Sequence, residues 1–228
     1  MRTNRLFSLL LVLVSTALLH AQSLQDTWEV GKSFVGTDKE KFLIPDDPKY
    51  DGLRPTSVVT ENTLALVNRQ LVVTKNPIPE NSNVDISFSW MWIEGRERDQ
   101  YHDSLVVALR TTGTQREHWS HEIEDGLVIR FDPTEKQVSL QLHQKGGKFN
   151  PRRIASKDVE FKRYQEYDVS ILDNGQNIRV ILNDQNILDE KVPAETVGRK
   201  IAIYNREPVA GVRHVSVIEN VGLAITAK

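Results

Sequence analysis

The sequence predicts an all-β protein, an antiparallel sandwich or barrel, and three observations carry the prediction. From Leu64 onward apolar and polar residues alternate at a period of two, turn-forming residues recur between the alternating runs, and few windows show a helical period. Period two places alternate side chains on one face of a pleated strand. Many short strands without intervening helices indicate a sandwich or barrel rather than an α/β sheet.

The N-terminal segment stands apart from that pattern. Arg2 and Arg5 form a basic start, Leu6 to Leu19 is almost unbroken apolar sequence, and Leu19-His20-Ala21 closes it, so residues 1–21 read as a secretory signal peptide cleaved after Ala21. The apolar run is shorter than the ~20 residues of a membrane span, and no later segment is apolar enough to span. Residues 22–62 are expected to give an N-terminal strand and a long irregular loop packed on the sandwich. That loop, from Asp38 to Thr56, holds Pro45, Asp46, Asp47, Pro48, Gly52 and Pro55. Residues 63–228 are expected to form one β-sandwich domain, since no linker or repeat divides them.

Within that domain the clearest strand alternates Val84, Ile86, Phe88, Trp90 and Trp92 with Asp85, Ser87 and Ser89. Leu105, Val107 and Leu109 repeat the pattern, followed by Leu127, Ile129 and Phe131, by Val138, Leu140 and Leu142, and by Tyr167, Val169 and Ile171. Asp173-Asn174-Gly175 then predicts a tight hairpin leading into Ile178, Val180 and Leu182. Asn183-Asp184-Gln185-Asn186 marks another reversal before Ile187 and Leu188. Ile201 and Ile203 form a further strand, and Val212, Val215 and Val217 the last.

Composition narrows the chemistry. The chain of 228 residues carries 29 Lys+Arg against 31 Asp+Glu, and loss of Arg2 and Arg5 with the signal leaves a net charge of minus 4. No basic field is available for nucleic acid. The absence of cysteine excludes disulfides, thiolate zinc, iron–sulfur clusters and a cysteine nucleophile. A mature chain of this length buries about 70% of its unfolded surface, enough for one core without staples. Export to the periplasm or medium is the expected destination.

The order of Leu71-Val72-Val73, the aromatic strand, Asp125-Gly126-Leu127-Val128-Ile129-Arg130, Tyr167-Asp168-Val169-Ser170-Ile171, Ile178-Arg179-Val180-Ile181-Leu182-Asn183-Asp184 and Gly198-Arg199-Lys200-Ile201-Ala202-Ile203-Tyr204 resembles the concanavalin A-like lectin/glucanase superfamily. Within it, the chain is most similar to the secreted bacterial domain named for 3-keto-disaccharide hydrolases. The resemblance spans about Thr63 to Leu223, although the turn reads Leu-Asn-Asp where Leu-Asn-Gly is usual. It implies a jelly-roll-like sandwich and a glycan or sugar-derived ligand.

Three segments could carry chemistry. Arg116 to Asp125 contains His118, Trp119, His121, Glu122 and Glu124. Imidazoles there could serve a metal or act as acid and base, and Trp119 could stack on a sugar, the alternative being a hydrated loop with Trp119 folded onto the core. Period two groups Glu122 with Glu124, as in the glucanase E-x-D-x-x-E strand, but the third acid is replaced by Leu127. Tyr101, His102 and Asp103 end a charge-alternating loop that could converge on His118, and Trp119→Ala would then weaken binding by about 1–3 kcal/mol. Arg206, after Tyr204-Asn205, could hydrogen-bond hydroxyls. Trp90 and Trp92 are read as core, and His143 and His214 as structural. No cofactor motif appears. Structural calcium, as in related sandwiches, would need an oxygen cage that Asp46, Asp47 and Asp51 do not make recognisable. The expected function is glycan recognition, with glycosidic hydrolysis and a structural or protein-binding envelope role as alternatives.

Overall fold

Alternating apolar side chains need an apolar partner, and two sheets supply it to each other in the computed structural model, which describes residues 27–30, 58–59, 63–67, 71–92, 104–116, 122–146, 151–193, 196, 198–206 and 215–227. The strands are β1 (Trp28–Val30), β2 (Val58–Val59), β3 (Thr63–Val67), β4 (Val72–Thr74), β5 (Ser82–Trp92), β6 (Ser104–Thr111) and β7 (Gly126–Asp132). There follow β8 (Gln137–His143), β9 (Arg152–Asp158), β10 (Glu166–Asp173), β11 (Asn177–Leu182), β12 (Gln185–Lys191), β13 (Lys200–Arg206) and β14 (Val215–Ala227). One sheet runs β1-β4-β13-β6-β7-β8-β9 and the other β12-β11-β10-β5-β14-β3-β2, with antiparallel pairing in both. This is the jelly-roll-like β-sandwich expected.

The main core lies between the sheets. Ile86, Phe88, Trp90, Val169 and Ile171 of the second sheet meet Leu105, Val107, Leu127, Ile129 and Phe131 of the first. Trp90 anchors it, its ring 5.4 Å from Phe161, 5.7 Å from Tyr167 and 5.8 Å from Phe131. Trp92 is half-buried, with the Arg163 guanidinium 5.1 Å from its ring.

A second apolar cluster covers the opposite face of the first sheet. Leu71, Val73, Val106, Ala108, Ile123, Val128, Ala202 and Tyr204 are buried there. The middle strands β6 and β7 are therefore buried on both faces, which explains the unbroken apolar runs Leu105-Val106-Val107-Ala108-Leu109 and Leu127-Val128-Ile129.

Several details differ from the sequence expectation. Strand β9 has no alternating apolar pattern because it is an exposed sheet edge, and its charges suit that place. The final strand, described from Val215, runs on to Ala227, bulging before Gly222, where an added Cβ would lie 2.6 Å from the Ser87 hydroxyl, and Val212 lies outside the described residues. The expected Asn174-Gly175 turn takes positive φ only at Gly175 (84°), and the Asn174 side chain accepts from the Gln176 and Asn177 amides instead. The two-residue turn with both φ positive is Asn183-Asp184, at 48° and 62°. The loop from Asp38 to Thr56 and its acids lie outside the described residues.

Candidate functional site

The approach to β7 builds the site. Arg116 N–H donates to the Glu122 carbonyl and Glu124 N–H to the Thr114 carbonyl, both at 2.9 Å, around a bridge between Gln115 and Ile123. Ile123 is thereby pressed into the second apolar cluster. Asp125 ties the entry of β7 to the end of β6, its Oδ1 accepting from the Thr111 hydroxyl at 2.7 Å and the Thr112 amide at 2.8 Å. Glycine is needed at position 126 because its φ is 108° and a Cβ on Gly126 would sit 2.5 Å from the Leu109 carbonyl oxygen.

This places Glu122 over the face that β7, β8 and β13 turn away from the main core. Arg130 lies on that face, paired across the ladder with Val106 of β6 and Ser139 of β8, while Tyr204 of β13 is paired with Val106. Arg130 Nη2 donates to Glu122 Oε1 at 2.8 Å, Arg206 Nε forms an ion pair with the same oxygen, and the Tyr204 hydroxyl donates to Oε2 at 3.0 Å. The carboxylate is closed off from solvent, with 1% of its side chain exposed, whereas Arg130 and Arg206 retain 10% and 20%. Burial alone would raise the Glu122 pKa; Arg130 and Arg206 outweigh it and hold the acid below its usual 4.5.

His143 completes the cluster. Its Nδ1 lies 3.0 Å from the Ile123 carbonyl, which fixes the proton on that nitrogen, and Nε2 faces the Gln141 side-chain amide at 3.4 Å. Burial, reinforced by both arginines, keeps the ring below 6.5 despite the opposing pull of the Ile123 carbonyl and Glu122. The Tyr204 phenol is raised above its ordinary 10, first by burial and then by the Glu122 charge, so it stays protonated as a donor.

Of the residues singled out from sequence, Glu122 and Arg206 are brought together, with Glu122 orienting the arginine. A carboxylate held ionised by two guanidiniums and a phenol is poorly suited to donate a proton. Glu124 is half-buried and meets Lys145 at 3.4 Å rather than sharing a function with Glu122. Tyr101, His102, His118, Trp119 and His121 lie outside the described residues. Sequence reasoning passed over Arg130, Gln141 and Tyr204. The available signal was Arg130 inside Gly126-Leu127-Val128-Ile129-Arg130-Phe131, a charge in an otherwise apolar, wholly buried strand. Asn205, grouped with Arg206, instead points its amide to the Leu66 carbonyl at 2.9 Å.

A cleft of about 410 Å³ opens elsewhere, lined by Asp85, Asp173, Asn174, Arg179 and Asp189 among others. It shares no residue with the cluster and its strongest pairings close on themselves, Arg110 gripping Asp173 and Arg179 gripping Asp189. The cluster on the first sheet is the better candidate because its charges are buried at a cost that packing does not require. Among the described residues no group of three or more His, Asp or Glu side chains is placed to hold a metal ion.

No protein-family model and no curated protein matches the sequence. Solved structures do match the fold. The carbohydrate-binding module CBM66 from Bacillus subtilis aligns at 13% identity and a TM-score of 0.51, covering 75% of this chain and 91% of that one. The VIP36 exoplasmic/lumenal domain in its Ca2+/Man-bound form aligns at 10% identity and 0.53, covering 75% and 88%. Alginate lyase AlgAT5 from polysaccharide lyase family 7 aligns at 9% and 0.53, covering 88% and 95%. The fold that this chain shares with them is an antiparallel jelly-roll β-sandwich. In this jelly roll the Glu122 cluster occupies the outward face of the sheet that carries β7 and β8, where the second apolar cluster frames it.

Proposed function

We propose that this chain is an exported carbohydrate-recognition module that binds its glycan through the Arg130, Arg206 and Gln141 face. The observation that carries the reading is the buried donor set itself: two guanidiniums held by one carboxylate on an outward sheet face. Donors fixed in advance lose little freedom when a hydroxyl-rich ligand arrives. The names of two solved relatives support the class, one a carbohydrate-binding module and one in a Man-bound form. Tyr101, His102, His118 and Trp119 are proposed as additional contacts.

A glycan array probed with protein beginning at Gln22, with product analysis on the retained sugars, tests this. Retention without turnover, lost in Arg206→Ala, is the expected result; silence on every glycan overturns it and favours a structural or protein-binding envelope role. A second proposal, hydrolysis of a disaccharide as in the 3-keto-disaccharide hydrolase-like domains, rests only on the order of sequence motifs, from which the Asn183-Asp184 turn departs. New reducing ends in the product analysis would establish that activity. The intact mass of the exported protein, expected to match a chain starting at Gln22 as glutamine or pyroglutamate, tests the export proposal.

A further inference from the structure

We propose, resting on that reading of the face, that the sugar it takes carries a carboxylate, a uronic acid residue of an acidic glycan, and that Arg130 and Arg206 receive it. Other arginines in the protein show what a satisfied guanidinium looks like here. Arg110 closes Nε and Nη2 on the Asp173 carboxylate, and Arg179 closes the same two nitrogens on Asp189 at 2.9 and 2.7 Å. Arg130 does not. Its Nη2 holds Glu122, while its Nε is buried with no hydrogen-bond partner. One N–H of the planar fork is therefore unpaired in a place where an unmade hydrogen bond is costly.

The charges point the same way. Glu122 Oε1 is shared by two guanidiniums, so one carboxylate answers two cations, and the nearby Tyr204 and His143 add no negative charge. Asp132, next on the same face, adds a carboxylate whose Oδ1 accepts from the Thr134 and Glu135 amides. Arg153 of β9 is exposed and lies opposite Gln141 on this same face, while Asp158 shares the face at the far end of β9, opposite Gln137. In a protein of net negative charge the guanidiniums gathered here favour an anionic ligand. A carboxylate oxygen can accept from the unpaired Nε, and its charge answers the second cation. An acidic chain lying across β8 and β9 would then meet Arg153 after Arg130.

Titration calorimetry of the mature protein with short oligouronates, with their methyl esters, with neutral oligosaccharides of equal length and with sulfated ones tests the proposal. The free acid should bind at least about tenfold more tightly than its ester, and more weakly as salt rises. Arg130→Gln should abolish that preference. Because that variant disturbs a buried ion pair, Arg153→Gln on the exposed edge serves as a second, expected to weaken the acid about threefold and leave the ester unchanged. Equal affinity for acid and ester, or preference for sulfate, overturns the inference while the carbohydrate reading stands. Failure of every sugar to bind overturns both.

Discussion

Glu122→Gln is the sharpest perturbation of this molecule, because it keeps the shape of the side chain and removes only the charge that two arginines share. In the folded protein the carboxylate accepts from Arg130 Nη2 at 2.8 Å and from the Tyr204 hydroxyl at 3.0 Å, and pairs with Arg206 Nε. Removing one partner of a buried ion pair costs about 3–5 kcal/mol, since the remaining charge is left uncompensated. Here two guanidiniums are left facing each other, which puts the expected loss at about 4–5 kcal/mol, the upper end of that range. Against a typical total of about 5–15 kcal/mol the variant would be marginal at room temperature. Urea denaturation at neutral pH should show a lower midpoint with an unchanged slope. The pH dependence gives an independent reading. The Glu122 pKa in the folded state lies below 4.5, so its contribution is present above that value and is lost as pH falls through the folded pKa. The gap between wild type and variant should therefore narrow on acidification below 4.5. A loss under about 1 kcal/mol at neutral pH would refute the account of Glu122 as the counter-ion of this face.

Other parts of the structure carry two further expectations. His143 is neutral in the fold with a pKa below 6.5, so stability should fall as pH drops from 6.5 toward the folded value, and denaturation curves of His143→Gln should lack that step. Gly198→Ala would bring a Cβ within 1.9 Å of the Thr111 carbonyl carbon and 2.2 Å of its oxygen, backbone against backbone. Its cost in urea denaturation should exceed about 3 kcal/mol, whereas Gly146→Ala, with open space and only a φ of 96° to strain it, should cost about 1–2 kcal/mol in the same assay.

The strands were legible wherever one face is wet. Ile86 and Phe88 alternate with Asp85 and Ser87 because the second sheet has a solvent side, and period two reports that directly. The same rule undervalued Val106, Ala108 and Val128, which pack on the outer face of the first sheet; an unbroken apolar run was the sign that both faces are buried. The edge strand β9 carried no signal because a strand that buries little needs no pattern. For the candidate site, sequence located Glu122 and Arg206 through a polar loop and a strand end. It missed Arg130 and Tyr204 because their significance lies in register. Tyr204 pairs with Val106, Val106 pairs with Arg130, and the segment leading into β7 lowers Glu122 among them. A relation between residues 74 positions apart leaves no trace in local spacing.

The retention of charge on this face is itself informative. Its neighbours Val106, Ala108, Val128 and Ala202 show that apolar packing is available there, and a buried ion pair replaced by well-packed hydrophobic residues is often neutral or stabilising. Stability alone therefore gives no reason for Arg130, Arg206 and Glu122 to occupy the middle of a buried surface. A binding role does give one. Holding both guanidiniums on a single oxygen removes most of their rotamer freedom before any ligand arrives, so the ordering cost is met by the fold rather than by the complex. It also leaves Arg130 Nε without a partner, a defect in the free protein that an acceptor on the ligand would repair. Glu122 must then be kept ionised to hold the arrangement, which is the effect of the two arginines overcoming burial. The same carboxylate that costs the fold its desolvation sets the geometry of the donors, and local rules broken at such a price in stability mark the place where a protein acts.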